Sequence, residues 1–404
     1  VYRFNHRIKT AMKKNLFPSS SLFEDMGFTY LGPVDGHDVE QMVTALEWAR
    51  DLACPVLLHV QTKKGKGYLP AEQHPNYYHS VKPFDRQKGI ESPGDEQDFS
   101  YMFGQSLCLL AQKDPRICAI TAAMEDGTGL REFAGRFPDR LFDVGIAEEH
   151  AVSFAAGLAL GGMTPVVAIY SSFLQRAVDQ MLHDVCMQNL HVIFAIDRAG
   201  LVGADGETHQ GCFDLSYLTM MPNMTVMAPK NGRELEKMIE FAVHAAGPCA
   251  IRYPRGTAYQ GLEEFESPIR YGKSEVLYRG RDTAILSVGS MTEVCEQVYK
   301  EMKNRGEAPT FVNARFVKPL DTELLDELAK DHKLFVTVEE NVKNGGFGEH
   351  VAAYMEACHP EVRVLPLAIW NRFVQHGEIA SLRAKIGLSA PEMLNAIEEY
   401  EEQE

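Results

Sequence analysis

Two carboxylates and an imidazole, Glu148-Glu149-His150, stand at the mouth of a segment, Ala151 to Leu160, that is apolar nearly all round. Such a segment reads as a buried helix, and a buried helix seldom opens on ionisable groups unless they have partners. Leu141 to Val144 reads as a short strand just before it, so Glu148 is expected at a strand-to-helix turn, where α/β sheets place ligand-binding groups. Helix N-termini favour anions whereas burial favours neutral acids, so a carboxyl in that position is placed to share a proton. The plainer reading is an acidic first turn helped by the helix dipole. A second cluster runs from Gly203 to Gly211, a Gly-rich loop holding Asp205 and His209. It lets backbone approach a small ligand while supplying a proton carrier and a hydroxyl acceptor. With the cationic Arg176, Arg198 and Arg255 added, the set suits a phosphorylated, hydroxylated molecule beside a proton-transfer centre.

The elements that must position these residues are legible as apolar runs. Ile117 to Thr121, Leu141 to Val144, Pro165 to Tyr170, Val192 to Ile196, Met224 to Ala228 and Ala250 to Tyr253 alternate with helical stretches, which predicts a doubly wound parallel sheet. Directly after the runs come Ala123-Met124-Glu125-Asp126-Gly127, Glu148, Ser171-Ser172-Phe173, Asp197-Arg198 and Pro254-Arg255-Gly256. Several strands therefore deliver polar chemistry to one edge of one sheet, where such folds form their crevice. A further α/β pattern starts near Ser274, with strands expected at Thr283 to Val288, Thr310 to Val317, Leu334 to Val338 and Arg363 to Leu367. Gly345-Gly346-Phe347-Gly348 lacks G-x-G-x-x-G spacing and reads as close helix packing.

Upstream, residues 1–20 place Arg3, Arg7, Lys9, Lys13 and Lys14 around an apolar helical stripe, which predicts an amphipathic helix. Phe28 to Leu31 and Pro55 to Val60 read as strands around a helix from Asp38 to Arg50, followed by the basic loop Thr62 to Tyr68. Residues 82 to 97 make a linker. The expected division is 1–96, 97–270 and 271–404.

At 404 residues with a formal charge of −16, the chain suits two or three soluble domains repelled by nucleic acid and anionic membrane. Eight dispersed Cys, with no C-x-x-C pair, fit a reduced cytoplasmic protein without a zinc site. No apolar run is long enough to span a bilayer.

Six strings then resemble one family. Gly145-Ile146-Ala147-Glu148-Glu149-His150-Ala151, Tyr170 to Gln180, Asp205 to Gly211, Arg252-Tyr253-Pro254-Arg255-Gly256, Gly32 to His37 and Thr62 to Tyr68 together look like the 1-deoxy-D-xylulose-5-phosphate synthase family of thiamine diphosphate enzymes, within the transketolase superfamily. The resemblance implies the tail of a thiamine-diphosphate-binding domain, then a pyrimidine-binding domain and a transketolase C-terminal domain. It implies condensation of pyruvate with D-glyceraldehyde 3-phosphate, with loss of carbon dioxide, in a cytoplasmic homodimer. Carried over, Glu148 meets the pyrimidine ring nitrogen, Phe173 stacks on that ring, and Ile146 and Lys64 join the cofactor-binding set. Tyr170, Arg176, Arg198 and Arg255 face the substrate phosphate. Asp205 and His209 contact hydroxyl and carbonyl groups, and His79 is a catalytic group from the first domain.

One family motif is missing. Gly-Asp-Gly, with a later Asn, holds the cofactor's diphosphate and Mg2+ in this family, whereas Val34-Asp35-Gly36, Glu125-Asp126-Gly127 and Ala204-Asp205-Gly206 here read as turns. No metal ligand is therefore assigned within the chain, and a preceding segment or a separate N-terminal fragment is expected to carry them. Glu149 also departs from the Gln common at its position in the family. Two alternatives accompany this reading: a transketolase C-terminal or 2-oxo acid dehydrogenase β-type subunit, and a non-catalytic fragment that needs a partner chain.

Overall fold

The computed structural model describes residues 21–75, 77–79, 81, 83–90 and 97–402. The amphipathic helix expected over residues 1–20 lies outside them. The chain divides into two compact units, one ending at Pro93 and one starting at Gly94.

In the first unit two parallel strands, β1 (Thr29–Asp35) and β2 (Val56–Gln61), are connected through the helix Val39–Asp51. That helix starts where the sequence predicts: the Asp38 carboxylate accepts from the Gln41 N–H at 3.0 Å, satisfying a donor that the first turn leaves free. Val34 and Asp35, read from sequence as part of a turn, are instead the last residues of β1, and the turn begins at Gly36. Among the described residues of this unit, the buried apolar side chains are Leu31, Ala45 and Ala71. Val39, Val43, Leu46 and Trp48 of the helix are exposed.

The second unit holds two sheets. Its strands are β3 (Ile117–Thr121), β4 (Leu141–Asp143), β5 (Thr164–Tyr170), β6 (Ile193–Asp197), β7 (Thr225–Met227), β8 (Cys249–Arg252), β9 (Glu275–Tyr278), β10 (Asp282–Ser287), β11 (Thr310–Asn313), β12 (Phe316–Lys318), β13 (His332–Val342) and β14 (Arg363–Ile369). The larger sheet runs β12-β7-β8-β6-β5-β3-β4, parallel except for β12. The smaller runs β14-β13-β10-β11-β9, with β9 antiparallel. Strands covered on both faces read as unbroken apolar runs, and β3 and β6 are buried at every residue. The expected doubly wound α/β architecture is the one observed.

Thr310 to Val317, read as one strand, is two. The chain breaks at Ala314-Arg315, where Arg315 takes a left-handed φ of 55° and buries its guanidinium against Glu234 at 2.6 Å and Glu275 at 2.9 Å. Beyond that corner β12 leaves the smaller sheet and pairs antiparallel with β7. The two sheets share one core, in which Ile169, Phe194 and Val226 meet Leu286, Val312 and Phe335. Gly348 is there for packing, as expected: a Cβ at that position would lie 2.4 Å from Thr337 Oγ1 and 2.8 Å from Pro366 Cβ.

Helix Glu148–Leu160 is not buried all round. Ala151, Val152, Ala155 and Ala156 face the core, whereas Ser153, Gly157 and Leu160 are exposed. Among the described residues no helix is long and apolar enough to cross a membrane. What positions the site is strand register: Thr121 lies opposite Asp143, Tyr170 opposite Asp197, and Ile196 opposite Arg252. The carboxyl ends of five parallel strands thus finish along one line.

Candidate active site

The turn into the helix Glu148–Leu160 is built from its neighbours. Asp143 Oδ1, at the end of β4, accepts from Ala123 N–H at 2.8 Å and Gly145 N–H at 2.9 Å. Gly145 takes φ of 73°, which a side chain would resist. Ala147 has no side chain with which to cap the helix, so the first residue, Glu148, brings a carboxylate to the terminus. That carboxylate is 2% exposed and accepts from Arg176 Nη1 at 2.6 Å. A buried carboxylate requires such a partner.

Arg176 belongs to the stretch after β5, where Ser171 to Cys186 winds through short α, 3₁₀ and π turns rather than one regular helix. This irregularity fans side chains over the sheet edge, a common setting for functional groups. The Arg176 guanidinium lies 5.0 Å from the centre of the Phe173 ring. Phe173 stacks on Tyr170 at 5.7 Å and meets the edge of His209 at 5.3 Å. His209 Nδ1 pairs with Thr208 Oγ1 at 2.9 Å.

The Arg198 guanidinium carbon lies over the Tyr170 phenol ring, 3.7 Å from its centre. Arg198 has a left-handed φ of 58°, and its Nη1 donates to Gly127 O at 2.7 Å and Asp197 Oδ1 at 3.0 Å. Asp197 is fully buried and also accepts from Ser100 Oγ at 2.6 Å. Burial pushes the Asp197 carboxyl up from its ordinary value, and Arg198 and Ser100 oppose that rise. Burial likewise raises the Tyr170 phenol, while Arg198 lowers it, so the hydroxyl stays protonated at neutral pH as a donor.

The structure therefore brings Glu148, Arg176, Phe173, Tyr170, His209 and Arg198 into one chain of contacts. Arg255 and Asp205 are ion-paired with each other, both partly exposed, and both act electrostatically on Tyr170. Ile146 is 82% exposed on the turn before Glu148. Lys64 and His79 are exposed residues of the first unit. Among the described residues no group of three or more His, Cys, Asp or Glu could hold a metal ion.

Two residues of this site escaped sequence reasoning. Ser100, almost a hundred positions before Asp197, sits in an unremarkable helix and carries no local signal. Gly127 falls in the stretch expected at the sheet edge, but nothing in the sequence marks its own role: a Cβ there would fall 1.7 Å from the Tyr170 hydroxyl oxygen and 3.3 Å from Arg198 Nη2.

Three family models match the chain: 1-deoxy-D-xylulose-5-phosphate synthase over residues 1–62, transketolase, pyrimidine binding domain, over 95–260, and transketolase, C-terminal domain, over 272–393. It is 53% identical over 386 residues to the 1-deoxy-D-xylulose-5-phosphate synthase of Lachnoclostridium phytofermentans, covering 95% of this chain and 62% of that protein. The chain belongs to the 1-deoxy-D-xylulose-5-phosphate synthase branch of the transketolase-like proteins. The Clostridium tetani synthase is 46% identical, with 97% of this chain and 63% of that protein covered. The chain thus spans a little over three fifths of the length of these family members. Among solved structures, a split-gene transketolase in an inactive β4 tetramer is 31% identical with a TM-score of 0.66, over 75% of this chain and 97% of that one. A Campylobacter jejuni transketolase shares the fold, at 19% identity and a TM-score of 0.61, over 93% of this chain and 68% of that one.

Proposed function

We propose that this chain supplies the pyrimidine-ring and substrate-phosphate half of a thiamine diphosphate enzyme that condenses pyruvate with D-glyceraldehyde 3-phosphate, releasing carbon dioxide and 1-deoxy-D-xylulose 5-phosphate. The observation that carries the reading is the buried Glu148 carboxylate at a helix mouth, beside a half-buried Phe173 ring and a row of arginines. That donor set fits a basic aromatic heterocycle: a carboxylate for a ring nitrogen, an aromatic face for stacking, and Ile146 at the rim. When bound, thiamine diphosphate supplies the electron sink for decarboxylation. Glu148 holds and returns a proton at the ring nitrogen. Arg176, paired with that carboxylate, adds positive charge for the substrate phosphate. Tyr170, Arg198 and Arg255 bind the phosphate through charge-assisted hydrogen bonds, while Asp205 and His209 orient hydroxyl and carbonyl groups of the acceptor aldehyde.

Residues for the diphosphate and Mg2+ do not fit within this chain, since Gly-Asp-Gly is absent from its sequence. The exposed apolar face of helix Val39–Asp51 supports a covering layer from a further segment or polypeptide. We accordingly take 1–96 as part of a diphosphate-binding domain, 97–270 as the pyrimidine domain and 271–404 as the C-terminal domain, in a homodimer. The test is product analysis with pyruvate and glyceraldehyde 3-phosphate, with and without the diphosphate-binding half of a relative. Deoxyxylulose phosphate formed only in the combined sample is expected. Its absence from that sample, with both halves folded, overturns the reading.

A further inference from the structure

The loop that carries Asp205 and His209 is held from outside its own domain. Its neck is closed by a reciprocal backbone pair, Gly200 N–H to Gly211 O and Gly211 N–H to Gly200 O, each at 2.7 Å. Beyond the neck, the strongest fastenings come from residues after 272. Glu340, 1% exposed on β13, accepts from Leu201 N–H at 3.0 Å through Oε2 and from Arg383 Nε at 2.8 Å through Oε1. The approach is so close that a Cβ on Gly200 would lie 2.2 Å from that Oε2. Gly377 N–H donates to Gly203 O at 3.2 Å. Between them lies Gln210, 4% exposed, which uses both ends of its amide: Oε1 accepts from Val202 N–H at 2.7 Å and Nε2 donates to Gln375 O at 3.1 Å.

We propose that the C-terminal domain sets the position of the substrate loop, with Gln210 as the positioning residue that couples the two. This rests on the function proposed above only where it names the loop's ligand. Loops that carry binding groups need a rigid support, and a nearly buried amide spanning loop and neighbour provides one. The next residue back in the chain is His209, so a shift of Gln210 moves the imidazole with it. Gly206, with φ of 77°, packs its α-carbon side against His376, where an added Cβ would come within 3.3 Å of His376 Cβ. The tip thus follows the 375–377 segment rather than moving freely.

The experiment uses the 404-residue chain, with amide hydrogen exchange over residues 200–211 and calorimetric titration with glyceraldehyde 3-phosphate. Gln210→Ala should speed exchange of the loop amides, weaken binding roughly five- to tenfold, and lower the melting temperature by no more than a few degrees through the two lost hydrogen bonds. Gly377→Pro, which removes the N–H reaching Gly203 from the C-terminal side, should reproduce both changes while leaving Gln210 intact. Loop protection equal to wild type in Gly377→Pro, or faster exchange with unaltered binding in Gln210→Ala, overturns the proposal. A wild-type chain that does not bind the aldehyde phosphate counts against the proposed function instead, while the exchange measurements still decide the bracing.

Discussion

Glu148 and Arg255 answer different questions at the scale of single residues. Glu148 is buried with one charged partner, and no other carboxylate is hydrogen-bonded to Arg176 among the described contacts. Glu148→Gln keeps the shape and removes the proton-sharing group, so turnover in the combined enzyme should fall at least ~100-fold. Steady-state rates check this, and a loss below tenfold refutes the role. Arg255 is partly exposed and already paired with Asp205. Arg255→Ala should raise the Michaelis constant for glyceraldehyde 3-phosphate on the order of tenfold or more, from the loss of a charge-assisted bond of about 1.5–3 kcal/mol. The constant for pyruvate should stay near wild type; an inverted pattern would relocate the phosphate site.

At the scale of elements, the strand edge depends on Gly127 as much as on the charged residues it serves. Gly127→Ala puts a methyl group into the space of the Tyr170 hydroxyl, so the ring and the guanidinium on it must shift. We expect a stability loss of about 1–3 kcal/mol and weaker binding of phosphorylated ligands, read by urea unfolding and titration. The six parallel strands around this edge were legible because strands buried on both faces carry unbroken apolar runs. Two features were not. Asn313 and Arg315 interrupt the Thr310 to Val317 run, but nothing in the sequence shows that Arg315 is held by a buried carboxylate far away in the chain, and that contact makes the corner that sends the second half to another sheet. The antiparallel β9 is short and alternates between buried and half-buried residues, too little for a period to stand out. In the site, residues near a strand end were found by their position, whereas Ser100 and Gln210 act through contacts that only folding creates.

At the scale of the whole molecule, the seam between the two sheets is polar as well as apolar. Glu339 on β13 is buried and accepts from Phe347 N–H and Gly348 N–H, both at 2.9 Å. Burial outweighs those donors and the nearby Arg252, pushing its carboxyl up to about 7 from an ordinary 4.5. A folded value above the unfolded one means that its contribution to stability is complete below about 4.5 and is lost as pH rises through about 7. Glu339→Gln should therefore flatten the change in melting temperature between pH 5 and pH 8. Thermal scans of both proteins across that range are the check, and identical slopes would remove Glu339 as the cause.

The excursion of β12 has a practical consequence for anyone dividing this protein. The rim of the larger sheet is completed by the three residues Phe316–Lys318, although the strands that form the rest of it end at Arg252. Expressed alone, 97–270 would bare the main chain of Thr225–Met227 along its outer side, and an unpaired strand of that kind recruits copies of itself. Light scattering should find such a piece self-associating, and adding back a peptide spanning 314–320 should restore monodispersity. The cut that looks cleanest along the chain is thus the one that leaves the sheet unfinished.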